Sequence, residues 1–209
     1  MHWLRERPGY YENSEAKYAA IQLVLTLQQD VGIQYNPDRI SILRKEDLNN
    51  PGFFRNANDV FLTGVLSDVR CGTCASIPML VVAVGRRLGY PLKLATTKGH
   101  IFVRWEGPGV RERFNIEVTG RGVDFYSDEY YRSWPLPLSE EEVAAEGFLK
   151  SLTAEEELSL CLELRGYVLM ANRRYREAVP AFEAALRHRP GSRNLRVLVD
   201  YARSLAECR

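Results

Sequence analysis

The stretch that decides the fold reads Cys71-Gly72-Thr73-Cys74-Ala75-Ser76-Ile77-Pro78-Met79-Leu80-Val81-Val82-Ala83-Val84, closes with Gly85-Arg86-Arg87-Leu88-Gly89-Tyr90-Pro91, and leads into Leu92. Ile77, Leu80, Val81, Val84 and Leu88 recur at helical spacing, so a buried helix is expected over 75–88. Pro78 has no backbone N–H and is tolerated only in a first turn, which sets the helix start near Cys74. Gly89 and then Pro91 end it. Strands are predicted at 92–96, 101–105 and 113–118, and the turn Glu106-Gly107-Pro108-Gly109 makes a hairpin of the last two. A helix followed by antiparallel strands implies an α+β architecture, not a doubly wound parallel sheet.

Upstream, Ala16, Ala20, Leu23, Val24, Leu27 and Val31 fall on one face of a helix predicted over 13–31, with Ser14 as N-cap and Gly32 as its stop. The polar stretch 35–58, with its Asn-Pro, Asn-Asn-Pro-Gly and Arg-Asn-Ala-Asn runs, reads as turns around short helices. One short helix is expected over 59–66. Downstream, the character changes after Trp134-Pro135-Leu136-Pro137. Two capping boxes, Ser139 with Glu142 and Thr153 with Glu156, open a region that is helical to the end. The sequence thus divides into a core domain, 1–137, and a helical module, 138–209.

The 209 residues suit one compact domain plus a small accessory unit, and a 45% apolar fraction is enough for a true core. A net charge of +1 and the lack of a basic stripe call for neither nucleic acid nor an anionic membrane as partner. The first residues are mixed and charged, and the longest apolar run falls far short of the ~18 residues of a membrane span. A cytoplasmic location is expected, with Cys71, Cys74, Cys161 and Cys208 reduced.

The chemistry concentrates around Cys74. A cysteine at a helix start meets unpaired N–H groups and the positive helix end, which favour thiolate over thiol and can hold an oxyanion. A thiolate nucleophile needs a base, and the chain has three histidines. His2 lies in a terminus and His188 in the last turn of a helix, which leaves His100, after Lys98-Gly99 at the start of a strand. Strand periodicity puts Asn115 and Glu117 on one face. Pairing Arg104 with Arg113 across the turn sets His100 opposite Glu117, within reach of a hydrogen bond. Asn115 is the alternative orienting group.

Gly72-x-Cys74 at a helix start, Gly99-His100-Ile101-Phe102-Val103-Arg104 on one strand and Ile116-Glu117-Val118-Thr119 on the next resemble the transglutaminase-like (papain-like cysteine) superfamily. Arg86-Arg87-Leu88-Gly89-Tyr90-Pro91-Leu92 is similar to its bacterial branch, in which such a core precedes tetratricopeptide helices. In the tail, Gly166, Tyr175, Ala178, Phe182, Ala185 and Pro190 resemble a tetratricopeptide repeat, with a third helix expected over 194–205. A single repeat cannot bury its own face and should pack on neighbouring helices or on the core.

The resemblance implies a papain-like fold and thiol chemistry at amide bonds of a protein or peptide substrate: hydrolysis, deamidation or acyl transfer through a thioester. Cys74 would be the nucleophile, His100 the general base and acid, and Glu117 the orienting acid where the family usually has aspartate. No cofactor or metal is called for. The helical tail would serve as a structural cap on the core or, alternatively, offer a surface to a protein partner.

Two other readings of the loop are weaker. Cys71-x-x-Cys74 suits a redox pair, but no βαβ pattern surrounds it. Zinc on Cys71, Cys74 and His100 lacks a fourth ligand. The main alternative is a non-catalytic scaffold: members of the bacterial branch that lack the cysteine are taken to be such.

Overall fold

The Ser14 side chain accepts the Lys17 amide at 3.0 Å, satisfying one of the donors a helix start leaves unpaired, and opens helix α1, Glu15–Leu25. The computed structural model describes residues 8–39, 52–108 and 112–208. A π-helical turn, Thr26–Asp30, extends α1 to the predicted stop, where Gly32 has a φ of +84°. Residues 40–51, part of the stretch read as turns and short helices, lie outside the described residues, as do 1–7 at the N-terminus and the tip of the hairpin turn at 109–111.

The single helix expected over 59–66 is in fact two short ones, α2 (Ala57–Val60) and α3 (Leu62–Val65). Phe61 separates them in extended conformation, with φ −109° and ψ 161°. Two short strands follow one another in space: β1 (Gln34–Tyr35) runs parallel to β2 (Cys71–Gly72), with Tyr35 beside Gly72. Helix α4 spans Ile77–Arg87 and buries nearly every side chain of its first half. It begins two residues later than the helix expected over 75–88. Pro78 cannot donate to the carbonyl of residue 74, so the regular ladder starts only beyond Cys74, which sits in the turn before the helix.

The sheet has three antiparallel strands in the order β3 (Leu92–Thr97), β4 (His100–Glu106), β5 (Arg113–Ile116). Here the predicted register is corrected. Glu106 pairs with Arg113 and Arg104 with Asn115, two residues from the pairing inferred for the hairpin. An even displacement leaves every side chain on its predicted face. Carried further, the register would make Glu117 a diagonal neighbour of His100, a separation of about 7–8 Å between backbone positions that a long side chain can span.

Helix α5 (Asp128–Ser133) crosses the sheet and stacks Tyr131 on Phe102, with ring centroids 3.8 Å apart. Helix α6 (Glu140–Glu146) starts from the Ser139–Glu142 capping box. The chain then returns to β3: the Leu149 amide donates to the Thr96 carbonyl at 2.9 Å and the Leu152 amide to that of Leu94 at 2.8 Å.

Three longer helices complete the chain: α7 (Ala154–Ala171), opened by the Thr153–Glu156 capping box, α8 (Tyr175–His188) and α9 (Arg193–Glu207). They pack together around Ala178, Phe182, Ala185 and Leu195, all fully buried. Gly166 is a packing requirement, because a Cβ there would lie 2.4 Å from the Phe182 ring. The other face of α7 places Leu160 and Leu164 in the main core, with α1, α4 and the sheet. The architecture is therefore mixed α+β: a small antiparallel sheet followed by packed C-terminal helices. Among the described residues, no helix is long and apolar enough to cross a membrane.

Candidate active site

The cysteine loop is built on the backbone of Asp59. Its carbonyl accepts the Thr73 hydroxyl at 2.7 Å and the Ser76 hydroxyl at 3.0 Å, while Ser76 Oγ accepts the Thr73 amide at 3.0 Å. The buried Asp59 carboxylate takes Asn36 Nδ2 at 2.7 Å and Arg39 Nε at 2.9 Å, binding the segment after β1 to the same loop. Gly72 serves crowding: a Cβ there would fall 2.6 Å from Val65 and 2.7 Å from Ser76 Oγ.

The N–H groups near the helix start are mostly used within this loop. The Ala75 amide donates to Thr73 Oγ1 at 3.2 Å, and those of Ser76 and Ile77 donate to the Thr73 carbonyl at 3.2 and 3.0 Å. The amide of Cys74 itself faces the Tyr35 hydroxyl, which also contacts the thiol. Burial and negative charge on Cys74 and Glu117 push the Tyr35 phenol well above its ordinary pKa, so it stays protonated and able to donate. Tyr35 carried no signal in the sequence. It reaches Cys74 because two-residue strands pair across a long loop.

Cys74, His100 and Glu117 are brought together and are 8%, 3% and 6% exposed. His100 Nε2 lies 2.8 Å from Glu117 Oε2. Oε2 also accepts the Tyr131 hydroxyl at 2.9 Å, and Oε1 accepts the amides of Val118 and Thr119 and the Thr119 hydroxyl at 2.5 Å. Five donors thus surround one carboxylate. Burial alone would raise the Glu117 pKa, but the hydrogen bond and charge of His100, with the Thr119 donors, bring it down to about 2.

With Nε2 committed to Glu117, the second ring nitrogen, Nδ1, is buried without a hydrogen-bond partner. The Cys74 thiol lies against this ring. Burial would lower the His100 pKa, yet Cys74 and Glu117 outweigh it and raise it to about 9. Both neighbours thus favour the protonated ring. Trp134 stands edge-on to it, with centroids 4.8 Å apart.

Asn115, the alternative orienting group, is engaged elsewhere. Its Oδ1 accepts Arg104 Nε at 2.7 Å and its Nδ2 donates to the Tyr126 carbonyl and to Asp128. Arg104, which the resemblance placed on the same strand as His100, is completely buried and also bonds the Leu149 carbonyl and Asp128. These two residues hold the hairpin together and do not touch the imidazole. Tyr131 and Thr119 were missed as partners of Glu117. Their positions follow from a helix crossing and a strand end that local patterns do not encode.

His100 lines two cavities. One, of about 820 Å³, is bordered by Tyr35, Glu117, Thr119, Asp124, Tyr130 and Trp134. The other, of about 440 Å³, contains Cys74 and is closed on its far side by residues of α7 and α9. Cys71 and Cys74 are both free thiols, and the described residues contain no group of three or more His, Cys, Asp or Glu side chains able to hold a metal ion. In comparisons with known proteins, no family model, no curated protein and no solved structure matches the chain.

Proposed function

We propose that the chain is a thiol enzyme of the transglutaminase-like kind that acts on amide bonds through Cys74, His100 and Glu117, with a tetratricopeptide-like helical tail. The observation that carries this is the buried imidazole bonded to Glu117 at 2.8 Å through Nε2, with Nδ1 left unpartnered and the Cys74 thiol near enough to favour the protonated ring. A structural histidine would satisfy both nitrogens with neutral partners. This one has a carboxylate on one nitrogen and leaves the other free for a proton that moves.

The steps follow from that geometry. Sulfur of Cys74 attacks the amide carbon, and its proton rests on His100 Nδ1. The Cys74 amide and the Tyr35 hydroxyl, which lie beside one another at the cysteine, would be the donors to the developing oxyanion. The C–N bond breaks as Nδ1 gives its proton to the leaving nitrogen, and a thioester remains on Cys74. Water or a second amine attacks the thioester carbon, loses a proton to Nδ1 and displaces the sulfur, which recovers that proton. Glu117 remains ionised throughout and, with Tyr131 and Thr119, positions the ring.

The test is modification of Cys74 by iodoacetamide at pH 7, read by peptide mass spectrometry in the wild type and in His100→Ala. Cys74 should react fastest in the wild type and at least about tenfold more slowly without the histidine, while turnover of an amide substrate should fall by about 10²–10⁴. Equal, slow modification in both proteins would favour the non-catalytic scaffold.

A further inference from the structure

Cys74 lines the cavity that faces the C-terminal helices. This cavity, of about 440 Å³, is enclosed in part by α7 and α9, and Cys74 does not border the larger cavity on the Glu117 side of the ring. A group bonded to the Cys74 sulfur must therefore be accommodated between the sheet and the helical tail. The volume lies within the range of about 300–1,000 Å³ typical of small-molecule pockets.

The lining defines what fits there. Phe54, Leu136, Phe148, Leu160 and Leu164 supply an apolar wall. The charged residues around it are already paired. Lys98 bonds Glu142, Arg189 bonds Glu163 and Ser159, and Glu146 accepts the Ser192 hydroxyl and the amides of Arg193 and Asn194. Thr97 donates its hydroxyl to the Tyr131 carbonyl at 2.7 Å. His100, whose Nδ1 is buried and unpartnered, also borders this cavity.

We infer that this cavity, completed by the C-terminal helices, is the subsite for the acyl side of the substrate and takes an apolar, aryl-sized group next to the scissile carbonyl. A charged group would enter without a counter-ion, and a small one would leave apolar wall unfilled. The inference rests on the thiol-enzyme reading and adds to it a substrate class and a role for the tail.

Two alkylating reagents with the same reactive carbon, chloroacetamide and N-(2-phenylethyl)chloroacetamide, test it. With each, sulfur forms a bond to the methylene carbon, chloride leaves, and the thiol proton passes to solvent. The rate at Cys74 is followed by peptide mass spectrometry, with free cysteine as reference. The phenylethyl reagent should modify Cys74 at least tenfold faster than chloroacetamide after correction for free cysteine, and with saturation. Leu136→Trp, on the sheet side, and Asn194→Trp, on an exposed position of α9, should each lower that ratio toward the free-cysteine value. A wild-type ratio equal to that of free cysteine overturns the subsite, as does a raised ratio that neither variant changes. If chloroacetamide itself reacts equally with wild type and His100→Ala, the thiol-enzyme reading fails, which is a separate outcome.

Discussion

The C-terminal helices and the β4–β5 hairpin are held together by opposite means. In α7–α9 the contacts are apolar and close: Gly166 admits the Phe182 ring, and Ala178 and Ala185 let the helices approach. In the hairpin the binding elements are buried polar groups, Arg104 with Asn115, Asp128 and Leu149, and Glu117 with His100, Tyr131 and Thr119. Apolar packing is non-directional, and its cost when disturbed follows the volume lost or forced in. A buried polar network fixes direction, and each member that loses its partner carries a desolvation penalty. The site stands on the second kind of structure, as a ring that must point one nitrogen at a sulfur requires.

Three substitutions probe this contrast, in order of expected effect. Arg104→Ala should cost about 3–5 kcal/mol in denaturant unfolding, since it leaves Asn115 Oδ1 and the Leu149 carbonyl without their donor and removes a fully buried side chain. A loss below about 1 kcal/mol would show that the hairpin does not depend on its polar network. Gly166→Ala should cost about 1–3 kcal/mol by pressing a methyl into Phe182, and leave iodoacetamide modification of Cys74 close to wild type. Tyr131→Phe should cost about 1.5 kcal/mol, because one hydrogen bond to an ionised carboxylate is lost. Unlike the glycine change, it should also slow amide turnover.

Outside that order stands the pH dependence of stability, and its sign is specific. His100 is raised from 6.5 to about 9, so its contribution is complete below 6.5 and disappears as pH rises through 9. Glu117 is lowered from 4.5 to about 2, so its contribution is complete above 4.5 and is lost as pH falls toward 2. The stability difference between wild type and His100→Gln should be greatest between pH 4.5 and 6.5 and shrink by pH 9, measured by urea unfolding at fixed ionic strength. A difference that grows above pH 7 would contradict the charged pairing.

The helices were legible because their determinants are local. Ser14, Ser139 and Thr153 cap as their sequences indicate, and the third tail helix lies within two residues of its expected bounds, at Arg193–Glu207. Strand pairing is decided across distance, and there the reading slipped. The hairpin register moved by two residues, yet Cys74, His100 and Glu117 still met, because strand faces alternate and an even shift preserves them. The longer glutamate side chain suits the diagonal distance that results. Tyr35 was unreadable as a site residue, since it arrives by strand pairing between segments far apart in the chain, and the bonds of Tyr131 and Thr119 to Glu117 depend on how the chain bends after the strand. The helix start was misplaced by weighing where Pro78 is tolerated without asking which carbonyl it leaves unbonded.

The two hydrogen bonds from Leu149 and Leu152 to the carbonyls of Thr96 and Leu94 have a further consequence. A strand at the rim of a sheet is a template for another chain, and this link occupies that rim on β3. A chain cut after Pro137 would uncover it, together with the apolar surface that Leu160 and Leu164 now cover, and should self-associate. The linker therefore guards the sheet against its own copies while it carries the chain to the helices.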